Sequence, residues 1–263
     1  MPPTSRSTQL ELRNPPETRT PVRRTVDDEQ DLLVFVGPPA DQLVVDLRPR
    51  VMLEPEVGLL GASRFGIFAK RSIDLLLGSV ALVVLSPVLV TAMLLVRISS
   101  PGPAFYRQER VGRDGAPFSF AKFRTMRVGA DLDRDELSAQ NECEGPIFKI
   151  REDPRITAVG RLLRKFSIDE LPQLVHVVTG KMSLVGPRPP LPQEVEQYGA
   201  WEKQRLTVKP GITCIWQVSG RSDLDFETWV HLDVDYIARW SLKLDLGILA
   251  RTIPAVISGK GAY

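Results

Sequence analysis

Asp169 and Glu170 stand side by side in the segment Ser167-Ile168-Asp169-Glu170-Leu171-Pro172-Gln173-Leu174. Two adjacent carboxylates opening a helix are suited to phosphate chemistry. Pro172 limits the geometry, because proline lacks an N–H and is tolerated only in a first helical turn. The helix is therefore expected to start with Asp169 as its cap, where backbone N–H groups and the dipole favour anions, an incoming phosphate included. A blander reading stays open at this point: Ser167-x-x-Glu170 also spells a capping box with a purely structural role.

The elements around this pair point to a membrane surface. Leu75 to Val96 carries no charge and is long enough to span a bilayer. Ser86-Pro87 sits near its centre, and a proline there removes a helical hydrogen bond and clashes with the preceding turn, so a break is expected. Ser86 is placed to serve the carbonyl that the proline frees. Arg64, Lys70 and Arg71 precede the stretch, and Arg97, Arg107, Arg110 and Arg113 follow it. Positive residues prefer the cytoplasmic side, so a broken helix that dips in and returns satisfies both ends. A kinked span is the alternative.

Composition bounds the rest. The 263 residues, 43% hydrophobic and 25% charged, fit one sizeable domain plus a tail and not a polytopic membrane protein. A formal net charge of +2 gives no reason to expect nucleic acid as a partner. Cys143 and Cys214, with His176 and His231, form no zinc pattern; free thiols are expected, a single disulfide being the alternative. No Gly-x-Gly-x-x-Gly or P-loop occurs, so a nucleotide would have to be held by irregular loops and arginines.

Residues 1 to about 30 are too polar to order themselves, and Leu32 to Val36 and Leu43 to Leu47 are short runs with strand character. Three regions result: a mostly disordered tail over 1–66, the broken membrane helix over 67–101, and a catalytic domain over 102–263. Gly112-Arg113-Asp114-Gly115 marks a hairpin between Ala104–Tyr106 and Phe118–Met126. Asp131 to Gln140 reads as a charged surface helix. A helical stripe from Arg155 to Phe166 delivers the chain to Asp169, and Gly180 is the expected cap of the Asp169 helix. Ile212 to Val218 reads as a buried strand, and Phe226 to Trp240 as a helix. Leu242 to Ile257 is apolar on most faces, which suits either a helix lying in the lipid headgroup region or a core helix.

The same residues resemble the bacterial sugar transferases, the monotopic polyprenyl-phosphate phosphoglycosyl transferases. The Asp169-Glu170 octapeptide is one block of that resemblance. Lys70-Arg71-Ser72-Ile73-Asp74, Lys122-Phe123-Arg124-Thr125-Met126, Gly186-Pro187-Arg188-Pro189, Lys209-Pro210-Gly211-Ile212-Thr213 and Trp216-Gln217-Val218-Ser219-Gly220-Arg221 are others. The tail from Leu232-Asp233 through Trp240-Ser241 to Thr252 completes an ordered set over roughly residues 69 to 263.

The resemblance implies an α/β (α+β) catalytic domain, not a Rossmann sheet, seated at the bacterial inner membrane and facing the cytoplasm. It implies transfer of a sugar-1-phosphate from a UDP-sugar donor to polyprenyl phosphate at the start of exopolysaccharide or O-antigen synthesis. Asp169 would be the covalent nucleophile, with Glu170 beside it and Mg²⁺ as cofactor. Arg164, Arg188 and Arg221 match positions that contact phosphate or nucleotide, and Asp233 would be a further acidic contributor near the metal. Lys122 and Arg124, two apart on one face of an expected strand, are further candidates for the substrate. The insertion between Met126 and Ile150 and the ending from Thr252-Ile253-Pro254 to Gly261-Ala262-Tyr263 resemble those of the hexose-transferring exopolysaccharide and O-antigen starters, which favours a galactose or glucose donor. A homodimer stays open. A membrane-anchored phosphohydrolase and a non-enzymatic adaptor are the rival readings: the first leaves the membrane segment without a purpose, the second the ordered motifs.

Overall fold

The computed structural model describes residues 63–133, 136–142, 145–220, 224–259 and 261; the two short runs before residue 50, Cys143 and Arg221 lie outside the described residues. Helix α1 (Arg64–Val84) starts at Ser63, whose hydroxyl accepts from the Gly66 N–H at 3.0 Å. Helix α2 (Ser86–Ser99) follows after Leu85, and the two axes bend by 58°. The break falls at Ser86-Pro87 for the expected reason. Pro87 cannot donate to the Val83 carbonyl four residues back, and the Ser86 hydroxyl donates to that carbonyl instead, at 2.7 Å. Pro87 then occupies the first turn of α2, where a missing N–H is harmless. Among the described residues no single helix is long and apolar enough to cross a membrane; this bent pair together is.

Strands β1 (Phe105–Val111) and β2 (Pro117–Phe123) form the expected antiparallel hairpin, in which Tyr106 faces Lys122 and Arg110 faces Phe118. The surface helix expected over Asp131 to Gln140 is not built. Among the described residues this region holds turns and one short 3₁₀ segment, Ser138–Gln140. Its run of acidic residues has no apolar stripe to pack, and little holds a short isolated helix together in water.

Helix α3 (Ala158–Lys165) is capped by the Thr157 hydroxyl, and a 3₁₀ turn (Ile168–Gln173) runs on into α4 (Leu174–Val178). Gly180, with φ of 81°, ends α4 as expected. Strand β3 (Ser183–Val185), α5 (Pro192–Glu196) and β4 (Gly211–Thr213) follow, β3 and β4 pairing in parallel. The strand expected over Ile212 to Val218 ends at Thr213. Cys214 is still extended, and the chain then turns into α6 (Ile215–Ser219). An apolar run of that length does not itself distinguish a buried strand from a buried helix, and tertiary packing decides. Helix α7 (Phe226–Ala238), capped by Asp225, and α8 (Leu242–Ser258), capped by Ser241, close the chain. Among the described residues, two separate two-stranded sheets set among helices make a mixed α+β fold with no Rossmann sheet.

The bent pair has two faces. Outward, Phe68 is 70% exposed and Leu76 64%, and Val83, Val90, Leu94 and Ile98 are exposed with them. Inward, Ala92 and Val96 of α2 form a buried cluster with Ala104, Phe123 and Leu163, and Ile168 packs against it. The end of α2 thus lies beneath the residue that precedes Asp169. Helix α3 reaches the same place by a close backbone approach: a Cβ on Gly160 would overlap the Thr125 carbonyl. That carbonyl accepts from the Thr157 N–H at 3.0 Å. Gly160→Ala is expected to push α3 off Thr125 and lower stability by about 1–3 kcal/mol, as overpacking does; denaturant unfolding in detergent measures it.

Candidate active site

The octapeptide is not folded as its spelling suggests. Asp169 does not cap the helix. Ser167 holds the entry position in the left-handed region, with φ of 52°, and makes no side-chain cap. Asp169 falls in the first turn of the 3₁₀ segment, and Pro172 is accommodated further along the same segment. The capping box is likewise not made, because Glu170 turns to Arg188, with Oε1 2.8 Å from NH1. This geometry favours the chemical reading of the pair over the structural one. A non-glycine residue at positive φ costs free energy and is often retained where a side chain must be aimed. Here the turn leaves the chain free to present both carboxylates to one cavity.

That cavity has a volume of about 770 Å³, within the usual range for small-molecule sites. Asp169 and Glu170 line it with Arg110, Lys122, Arg164 and Arg188. Asp169 is 6% exposed and makes no hydrogen bond or ion pair among the described residues. Burial and the neighbouring Glu170 push its carboxyl up to about 6, against the pull of Lys122, Arg164 and Arg188. Burial works on Glu170 in the same direction, yet Arg188, by charge and hydrogen bond, with Lys122 and Arg110, holds its carboxyl below the ordinary range. The two carboxylates therefore differ: one is ion-paired and anionic, the other free and poised.

The cations are themselves under strain. Burial, then the Arg164 charge, lowers the Lys122 ammonium to about 8. Burial, then Arg188, lowers Arg110 to about 10. Four cations act on the two carboxylates, two positive charges more than the pair itself balances. An anionic ligand such as a diphosphate would relieve that excess.

Of the residues expected at the site, the fold gathers Lys122, Arg164, Asp169, Glu170 and Arg188. Lys122 lies over the Tyr106 ring at 5.5 Å, and Arg164 is aimed by the Thr125 hydroxyl at 3.0 Å. Arg124 departs from Lys122 even though they are two apart. It falls just past β2, lines the cavity's edge and donates to the Ser100 and Pro101 carbonyls where the chain leaves α2. Its guanidinium holds backbone there. Asp233 is not brought to the acidic pair. It is 1% exposed, does not line the cavity, and takes Arg205 Nε at 2.8 Å and NH2 at 2.7 Å. Among the described residues no three His, Cys, Asp or Glu side chains assemble as a metal site. Cys214 is a buried free thiol.

Arg110 and Arg205 were missed at the sequence level, and both line the cavity. Alternation along β1 is a signal for Arg110: Tyr106, Gln108 and Arg110 are the partly buried residues of the strand, and Arg110 donates to the Pro189 carbonyl at 3.0 Å. Arg205 has no comparable signal, since its partners Tyr198 and Asp233 come together only in the fold. Trp216 and Trp229, stacked at 4.3 Å, complete that wall.

Comparison with known proteins identifies the family to which the chain is similar. A family model described as bacterial sugar transferase matches residues 65–259. The exopolysaccharide production protein ExoY of Rhizobium meliloti is 44% identical over 208 residues, which cover 77% of this chain and 92% of that protein. The undecaprenyl-phosphate galactose phosphotransferase of Salmonella typhimurium is 43% identical over 77% of this chain, but the match covers only 43% of its length. The UDP-glucose:undecaprenyl-phosphate glucose-1-phosphate transferase of Escherichia coli is 40% identical over 74% of this chain and 41% of its own. The chain thus spans under half of the two named transferases.

Three outcomes follow from the charges. Asp169 acts as an anion only above its pKa, so kcat/KM for an anionic substrate is expected to fall as pH drops through about 6. Arg188→Ala removes a cation that favours both carboxylates, and should move that acid limb to higher pH. A limb that stays in place detaches Arg188 from the pair. Arg205→Met leaves Asp233 buried and unpaired, and should cost about 3–5 kcal/mol in unfolding experiments.

Proposed function

Because the chain belongs to the bacterial sugar transferase family, we propose that it transfers a sugar-1-phosphate from a UDP-sugar to undecaprenyl or a related polyprenyl phosphate. The observation that carries this reading is the division of the acidic pair: Glu170 ion-paired to Arg188, Asp169 unpaired beside an excess of cations. The names of the Salmonella and Escherichia relatives support a galactose or glucose donor, and that of the rhizobial one exopolysaccharide synthesis as the setting.

In this mechanism Arg110, Lys122, Arg164 and Arg188 bind the donor's diphosphate and offset its charge. A carboxylate oxygen of Asp169 attacks the sugar-proximal phosphorus in line. The P–O bond to the nucleotide breaks and UMP leaves with the electron pair. The phosphosugar is then held on Asp169 as an acyl phosphate. A phosphate oxygen of the polyprenyl acceptor attacks the same phosphorus, the P–O bond to Asp169 breaks, and the carboxylate is restored. Glu170, kept anionic by Arg188, handles position and charge beside it.

Mg²⁺ fits this pair. Asp169 and Glu170 offer hard oxygen ligands, and a magnesium ion commonly shares substrate phosphates instead of a full protein cage. It would neutralise diphosphate charge. Asp233, engaged by Arg205, is left out of that role.

The acceptor is a lipid, and the exposed apolar face of α1 and α2 supports an enzyme seated in the cytoplasmic leaflet of the inner membrane with both helix ends on the cytoplasmic side. Each apolar half is short for a span: the uncharged end of α1, Leu75 to Val84, extends about 15 Å and the 14 residues of α2 about 21 Å at ~1.5 Å per residue, against a hydrocarbon core of ~30 Å.

With a labelled UDP-sugar and polyprenyl phosphate, label is expected in the lipid extract. Aqueous sugar phosphate would indicate a hydrolase, and no product an adaptor. Asp169→Asn should abolish product while leaving folding intact; more than a trace of turnover rules out the covalent role. For topology, single cysteines at Arg64 and Arg113, in a background lacking Cys143 and Cys214, are probed with an impermeant thiol reagent. Neither should react in intact cells and both after lysis; labelling at residue 64 in intact cells means a true span.

A further inference from the structure

Strand β3 is three residues long and pairs with one strand, β4, among the described residues. Side chains of α1 close its other edge. Asp74 Oδ1 accepts from the Leu184 N–H at 3.0 Å and from the Ser183 hydroxyl at 3.1 Å. Lys70 Nζ donates to the Val185 carbonyl at 3.1 Å, to Asp245 Oδ2 at 2.7 Å and to the Tyr236 hydroxyl at 3.3 Å. The Tyr236 hydroxyl lies 3.1 Å from the same carbonyl and 2.9 Å from Asp245 Oδ1, its one proton serving either. Trp240 Nε1 donates to Asp245 Oδ2 at 3.2 Å. Helix α1 thus stands where a third strand would.

This cluster lies outside the cavity, since none of Lys70, Asp74, Tyr236 and Asp245 lines it. It is, however, joined to the acidic pair by a short stretch of backbone. Arg188 follows Val185 by three residues. Between them the Gly186 N–H is bonded to the Thr213 carbonyl at 3.0 Å, and Pro187 has a restricted φ. A slip of one residue in β3 would turn every following side chain to the opposite face, Arg188 included. A strand this short has few ladder bonds of its own to resist that slip.

We infer that Lys70, Tyr236 and Asp245 are positioning residues for the transfer reaction: through the Val185 carbonyl they set β3, and with it the Arg188 guanidinium that holds Glu170. Docking of α1 against β3, α7 and α8 is then a condition of a competent site, and the helix serves in the framework of the catalytic pair as well as at the membrane. This rests on the reading of Asp169 and Glu170 as the active pair.

The test uses the full chain in detergent micelles, with polyprenyl phosphate and the UDP-sugar that supports turnover. Three variants are compared in the parent and in an Arg188→Ala background: Tyr236→Phe, Lys70→Met, and Lys70→Met with Asp245→Asn. In the parent each is expected to lower kcat about tenfold, and with Arg188 already removed the same changes should cost less than about twofold, the non-additivity of residues acting through one group. The double variant leaves no unpaired charge. If the cluster only stabilises the fold, that variant regains parental activity, and losses are equal in both backgrounds; either result overturns the inference. Tyr236→Phe keeps the charge pair and carries the test if the charge variants do not fold. A parent protein that makes no lipid-linked product rejects the transferase reading and this inference with it. An active parent with additive losses rejects this inference alone.

Discussion

Two carboxylates on consecutive residues, both largely out of water, repel each other, and the domain is arranged around that repulsion. Left alone, such a pair would keep at least one proton, because like charges at short range in a low-dielectric site cannot both ionise. The fold answers asymmetrically. Arg188 lies against Glu170 and holds it anionic, while Asp169 is left without a partner and is pushed up by burial and by Glu170. Lys122, Arg164 and Arg110 then supply cationic charge from three different elements. A site built this way has more positive charge than it needs for itself, which is the condition for drawing in a diphosphate.

The helices that carry the apolar surface are tied to that same problem. Helix α2 has its buried face under Ile168, so the residue before the acidic pair rests on the helix whose other face is exposed and apolar. Arg124, just past β2, fastens the exit of α2 to the end of the hairpin that bears Lys122 and Arg110. Arg71 donates to the Val177 and Val178 carbonyls, where the end of α4 leaves acceptors unsatisfied and the dipole favours a cation. Charged residues beside an apolar stretch are commonly read as topology signals. In this chain at least Arg71 is a structural tie, holding α1 to the end of α4.

The Arg205–Asp233 pair shows a different use of buried charge. Both side chains are almost inaccessible, and Arg205 also reaches the Tyr198 hydroxyl at 3.1 Å, so the pair fixes one wall of the cavity. Removing one partner from such a pair is far more damaging than the pair's net worth, since the remaining charge cannot return to water. An acidic residue in a helix of apolar neighbours is therefore as well explained by a buried arginine as by a metal.

What could be read from the chain alone was whatever depends on short-range chemistry. The break at Ser86-Pro87 follows from proline's missing N–H, the β1–β2 hairpin from its Gly-Arg-Asp-Gly turn, and the end of α4 from Gly180. Asp169, Glu170, Arg164, Arg188 and Lys122, singled out by ordered motifs and residue types, do come together around one cavity. The local conformation of the octapeptide was not. Ser167 takes positive φ and Glu170 abandons its capping partner because Arg188, eighteen positions away, offers a stronger one. Arg205 became a site residue, Arg124 a backbone clamp and Asp233 a buried counterion for the same reason. Each is decided by which distant group meets it, and an ion pair or a carbonyl contact across the fold leaves no periodicity in the sequence to betray it.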